Sequence, residues 1–220
     1  MARLFALLLI LTFLCSDLAA QYDEHVYGIR TAVGIVNPRK QSVFVGDEGD
    51  FVTHEVAFIT ATPSLSLGGF HQSKIGWLYV QTELMYNSYN FDFDVNYFEN
   101  NILTTTKVRE KYRYINGQVT AGVHTENVRL GVGPIFHYVV GHEADFSVIE
   151  SFSNKLRRLN TGMVASIGYD FEMINVDFRY ERALKTIGDH LYWGPSKSRF
   201  QSRPDQISLA IGIKLGKIIW

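Results

Sequence analysis

The stretch NTGMVASIGYDFEMINVDFRYERAL, Asn160 to Leu184, holds a complete repeating unit: two alternating runs around a tight polar break at Glu172 to Asn175. In the first run Thr161, Met163, Ala165, Ile167, Tyr169 and Phe171 share one face, and Gly162, Val164, Ser166, Gly168 and Asp170 share the other. In the second, Ile174, Val176, Phe178, Tyr180 and Leu184 oppose Asp177, Arg179, Glu181 and Ala183, since successive strand residues point to opposite sides. Arg182 is the charge on the apolar face and suits a membrane rim. A strand that sends Asp, Arg and Glu to consecutive inner positions needs a wet or fully paired interior. A small membrane β-barrel supplies one, with apolar residues toward lipid and polar residues toward the lumen.

Working outward, the same alternation recurs along the chain. Tyr27 to Val36 reads as a first strand with Arg30 inward, stopped by Asn37-Pro38. The acidic GDEGD connection, residues 46–50, leads to a second strand from His54 to Leu67, with Pro63 as a bulge or edge. Gly68-Gly69 opens a short connection to a third strand, Gly76 to Phe91, with Gln81 and Glu83 inward. Asp92 to Thr106 reads as a long irregular connection, and Lys107 to Val123 as a fourth strand with a bulge at Asn116-Gly117 rather than a hairpin turn. After a turn at His124 to Asn127, a fifth strand sends Arg129, Gly131, Gly133 and His137 inward. Gly141 to Arg158 and Lys185 to Asp205 are further long connections, and Gln206 to Leu215 is strand eight, with Lys214 inward. The expected fold is an all-β, eight-stranded, antiparallel up-and-down transmembrane β-barrel whose connections alternate long and short. An even strand count puts both termini on the short-turn side, the periplasm.

Targeting and composition fit an exported chain. Arg3, the apolar run Leu4 to Leu14 and the small residues Ala19 and Ala20 read as a signal peptide over residues 1–20, leaving one barrel domain over residues 21–220. The single cysteine, Cys15, falls in that leader, so the mature chain is expected to lack disulfides and thiolate metal sites. Leu14 before it is too bulky for a lipid-attachment box. A net charge of −1 argues against nucleic acid as a partner. After Ala20 no apolar run is long enough for a helical span.

The motifs of catalysis fall short. His142-Glu143 begins a zinc-protease pattern, but Phe146 stands at the second ligand position. Asp92, Asp94 and Asn96 begin like an EF-hand loop, but Tyr97 stands where glycine is required. Asp47, Glu48 and Asp50 read as a solvated acidic loop. His142, Asp145, Ser147, Asp189, His190 and Ser196 are the residue types of lipid hydrolases, but all fall on expected loops, so no catalytic residue, metal or cofactor is assigned. The lone Gly131-x-Gly133 leaves lumen space opposite bulky side chains instead of cradling a phosphate. The informative set is the inward polar one: Arg30, Gln81, Glu83, Arg129, His137, Asp177, Arg179, Glu181 and Lys214. An eight-stranded barrel is just wide enough to be filled by side chains, so these residues are expected to form a paired network that plugs the lumen. Among them, Glu83, Arg129, Asp177, Arg179 and Glu181 are expected to lie close enough to pair. For outside contact, Tyr97, Phe98, Trp193 and Phe200 are the aromatic candidates, with lipid anchoring the competing role.

WLYVQTELMYNSYNF (Trp77 to Phe91), LRRLNTGMVASIGYDF (Leu156 to Phe171), VDFRYERAL (Val176 to Leu184) and ISLAIGIKL (Ile207 to Leu215) together resemble the PorT-like outer-membrane β-barrel family. Arg179, Tyr180 and Leu184 match its strand-seven pattern, whereas Ala183 stands where a glycine is frequent. The resemblance implies a non-enzymatic outer-membrane barrel supporting type IX protein secretion, with outer-membrane lipid and envelope or secretion-system proteins as partners. The alternative is a stand-alone OmpX-like or OmpW-like surface barrel with a structural, adhesive or ligand-binding role.

Overall fold

Alternation along almost every segment dictates an antiparallel ladder, and the computed structural model, which describes residues 24–37, 42–45, 54–99, 102–144, 158–184 and 205–219, closes that ladder into a ring. Its strands are β1 (Glu24–Asn37), β2 (Ser42–Val45), β3 (His54–Ala61), β4 (Ser64–Ile75), β5 (Leu78–Glu99), β6 (Ile102–Thr125), β7 (Val128–Ala144), β8 (Leu159–Asp170), β9 (Ile174–Ala183) and β10 (Asp205–Ile219). Each of β4 to β9 pairs with the next in sequence, and β1 joins β10 to β4, so no edge remains in that ring. The two segments β3 and β4 form one stave, because both pair with β5 along successive stretches and are separated by Thr62-Pro63. Proline has no N–H to give the ladder, which explains the break. Counting that stave once gives eight, with β2 paired outside the ring on β3.

Several sequence boundaries move. The stave before β5 runs to Ile75, so Gly68-Gly69 lies within β4, and the turn is Gly76-Trp77. Gly76 has φ +52°, a left-handed conformation that glycine tolerates without steric cost. The following turn is reduced to Glu126-Asn127. Asn116-Gly117 pairs continuously with Met85 and Leu84, and the register shift in β6 lies at Arg113/Tyr114, opposite β7. The largest correction concerns Asp92 to Thr106. These residues extend β5 and β6 into strands of 22 and 24 residues joined across positions 100–101, so the alternation of long and short connections fails there. The reading failed because Asp, Asn and Thr look like loop residues when the inner face is assumed to stay polar. The GDEGD stretch, residues 145–157 and 185–204, and Trp220 lie outside the described residues.

Between β6 and β7 the pairing skips Val119 and Thr120 against Gly133 and Pro134. A Cβ on Gly133 would stand 1.9 Å from the Val119 carbonyl oxygen, a backbone atom that cannot swing aside. Gly133→Ala is therefore expected to lower stability by about 1–3 kcal/mol, the cost of overpacking. Urea unfolding in lipid vesicles checks this, and an unchanged midpoint would show that the two strands do not approach so closely.

Candidate functional site

The lower half of the barrel, near the short turns, is apolar outside and polar inside. Along β10, Ile207, Leu209, Ile211 and Ile213 are exposed while Gln206, Ser208 and Ala210 are buried. Along β9, Phe178 and Tyr180 are exposed while Asn175, Asp177, Arg179 and Glu181 are buried. Arg182 is exposed near the far end of β9, on the outward row with Tyr180.

Three arginines from three staves meet in the lumen. The Arg30 guanidinium donates to the Glu83 carboxylate and to Asn175 Oδ1 at 2.6 Å, and stands 2.7 Å from Asp177 Oδ2. Arg179 grips the same Glu83 with both terminal nitrogens, Nη1 to Oε2 at 2.7 Å and Nη2 to Oε1 at 2.5 Å. Such a two-pronged pairing is the strong form of an arginine–carboxylate contact. Arg129 donates to Gln81 Oε1 at 2.8 Å, and lies 3.0 Å from Asp170 Oδ2 and 3.1 Å from Asp177 Oδ1. Gln81 in turn donates to Glu83. Rings close the remaining sides: Phe70 lies 4.6 Å from the Arg30 guanidinium and Tyr79 5.7 Å from that of Arg129. Buried charges are tolerable when paired and hydrogen-bonded, and here Glu83 and Asp177 each serve more than one arginine.

The remaining inward residues stand apart from this centre. Glu181 makes no ion pair within 4 Å among the described residues; it lies one inward step beyond Arg179 on β9, interacts with it electrostatically, and borders with it a small cavity of about 20 Å³ that Asn116 and Gln118 also line. His137 sits farther toward the long-strand end, with Nδ1 2.9 Å from Asn116 Oδ1. Lys214 lies at the short-turn end and donates to the Phe171 carbonyl at 2.7 Å. Asn175 and Asp170 belong to the site as well: Asn175 falls in the polar break of the sequence pattern, yet it shares the inward parity of Asp177 and Arg179. Gly131 faces Tyr79, whose hydroxyl occupies the space a Cβ would need, 2.0 Å away.

Above the arginines the polarity inverts. Along β5 the inward residues change from Gln81, Glu83 and Asn87 to Tyr89, Phe91, Phe93 and Val95, all buried. Along β6 the outward residues change from Val123 and Ile115 to Lys111, Arg109 and Lys107. The buried side is a core of Val36, Tyr89, Phe91, Phe93, Val95, Val108, Tyr112 and Tyr114, with Phe58 edge-on to Phe91 and Phe93. The outward side is bound by ion pairs, Arg109 Nε to Asp92 at 2.7 Å and Arg113 to Glu143 at 2.6 Å. That is the polarity of a water-soluble sheet. A membrane strand needs only about 9–11 residues, so roughly half of β5 and β6 projects beyond the bilayer.

His142, expected on a loop, lies on β7 in this projecting sheet. Its Nε2 stands 2.5 Å from Glu110 Oε1, and its ring packs 4.8 Å from Tyr112. Asp145, Ser147, Asp189, His190 and Ser196 lie outside the described residues. No cluster of three or more metal-binding side chains occurs among the described residues. Tyr97 and Phe98 belong to β5, not to a loop, while Trp193 and Phe200 lie outside the described residues.

Comparison with known proteins places this arrangement. Residues 61–188, more than half the chain, match the family model for the outer membrane protein beta-barrel domain. No curated protein matches the chain in sequence. Among solved structures, the chain is similar to Ail, the attachment invasion locus protein of Yersinia pestis, at 12% identity and a TM-score of 0.35, covering 88% of this chain and 99% of that one. It is also similar to Neisserial surface protein A, at 11% identity and a TM-score of 0.31, covering 88% and 97%. Likenesses of that size carry no argument about role. The family match, the closed antiparallel ring and the apolar exterior agree: the chain belongs to the outer membrane protein beta-barrel domain family and is an outer-membrane β-barrel.

Proposed function

We propose that this protein is a stand-alone surface barrel that anchors a contact sheet outside the outer membrane. The observation that carries the reading is the inversion along β5 and β6: the strands leave the lipid band and continue as a sheet with its own aromatic core. A barrel that only spanned the membrane would not need that length. The ion-paired lumen below supplies a rigid base, in keeping with a binding or structural role over reaction chemistry or a wide transport path. The short turns and both termini face the periplasm in this arrangement, and the projecting sheet faces outward. A PorT-like accessory role in type IX secretion is placed second, because the strand motifs behind it serve any small barrel equally well.

The test is genetic. A deletion strain is complemented with the full chain or with a version in which residues 89–112 are replaced by a short hairpin turn. Both versions should show the electrophoretic shift of a folded barrel on heating. Surface adhesion and cell–cell aggregation should be restored only by the full chain, with the secreted proteome unchanged throughout. Full complementation by the shortened chain would reject the contact-sheet role. Loss of secreted proteins in the deletion strain would favour the secretion reading.

A further inference from the structure

The short-turn end holds a cavity of about 410 Å³, within the size range of about 300–1,000 Å³ usual for small-ligand sites. Asp170 lines it and lies 3.0 Å from Arg129, so the arginine network borders the cavity on its inner side. One wall is cationic. Lys74 of β4 and Lys214 and Lys217 of β10 line it together with Glu24.

The ammonium groups are incompletely used. Lys74 Nζ stands 3.5 Å from Asp170 and 3.7 Å from Glu24, and Lys214 Nζ stands 3.7 Å from Asp170. Direct ammonium–carboxylate hydrogen bonds run at about 2.7–2.9 Å, so these ion pairs leave donors open. Lys214 spends one of its donors on the Phe171 carbonyl. Both lysines are largely buried, with side chains 11% and 15% exposed, and are therefore held at the well and not free in solvent.

Phe171 and Met173 lie beside Lys214, whose backbone N–H donates to the Met173 carbonyl at 2.9 Å, and add an apolar surface, while Glu126 and Glu172 add two carboxylates without an ion pair among the described residues. A compact polyanion such as phosphate would meet the lysines but also the carboxylates. A group with one carboxylate on an uncharged, partly apolar stem meets the lysines and the apolar surface with less of that repulsion, because it carries a single charge. We propose that the well binds the free carboxylate end of a peptide, held by Lys74 and Lys214 with the preceding residue against Phe171 and Met173. This rests on the well's geometry, independently of the role given to the projecting sheet.

The test uses the isotope-labelled full chain in lipid nanodiscs, titrated with acetylated trialanine as the free acid, with the same peptide as its amide, and with inorganic phosphate. The free acid should give saturable shifts confined to the surroundings of Lys74, Asp170, Lys214 and Gly216. Amide and phosphate should bind at least about tenfold more weakly. Lys74→Gln should remove the response while the spectrum away from the short-turn end stays unchanged, and Lys214→Arg, which keeps the charge, should retain it. Equal response to acid and amide, a phosphate response matching that of the acid, or no saturable shift would each overturn the proposal.

Discussion

Glu83→Ala is expected to destabilise the folded barrel by about 3–5 kcal/mol, the cost of leaving buried charge without its partner. The size follows from the connectivity. Glu83 is the shared acceptor of Arg30, Arg179 and Gln81, so its loss leaves two buried guanidinium groups with Asp177 as their remaining carboxylate within 4 Å among the described residues. Glu126→Ala, on an exposed turn, is the control and should stay within about 0.5 kcal/mol of the parent. Urea titration in vesicles, followed by tryptophan fluorescence, measures both. Equal midpoints for the two variants would show that the arginine network contributes no more than a surface charge. The same network predicts a closed lumen, and a large, stable conductance in planar bilayers would contradict it.

Leu209→Arg is the second large effect. Leu209 is 51% exposed on the outer face, paired with Val33 on one side and Phe178 on the other, both exposed as well. In water such a patch would be a liability, but in lipid it is the contact surface. An arginine there is expected to cost about 2–4 kcal/mol near the bilayer midplane. The opposite exchange separates lipid from water. Lys111→Leu, on the outward side of the projecting part of β6, should change stability by no more than about 0.5 kcal/mol. If both substitutions were neutral in vesicles, the outer face of β10 would not be in lipid.

What was legible in the sequence was the part governed by a period of two. Asp177, Arg179 and Glu181 alternate against Phe178 and Tyr180, and that alone sets a lipid face, a lumen face and a closed antiparallel ring. Parity cannot give pairing partners, however. That Arg30 would reach Asn175 over Gly212 of the intervening β10, or that Asp170 would anchor Arg129, depends on stave order around the ring and on side-chain reach. The projecting sheet was misread for a different reason. Tyr89, Phe91, Phe93 and Val95 continue the parity of Gln81 and Glu83, so the same face becomes apolar without any break in the strand. A single rule of polar-in and apolar-out turns that continuation into an apparent loop, although the unbroken alternation of Phe91, Phe93 and Val95 against Asp92, Asp94 and Asn96 was present to be read.

The change of polarity along β6 is best tested by placing spin labels one at a time on its outward positions, with the chain's single cysteine, Cys15, removed beforehand. Collision with oxygen, which concentrates in lipid, is compared with collision with a water-soluble nickel complex. Labels at Val119 and Ile115 should favour oxygen, and labels at Lys111, Arg109 and Lys107 should favour nickel, with the crossover next to Arg113. A profile in which oxygen is favoured along the whole of β6, or nickel along the whole of it, would contradict a barrel that leaves the membrane halfway along its longest strands.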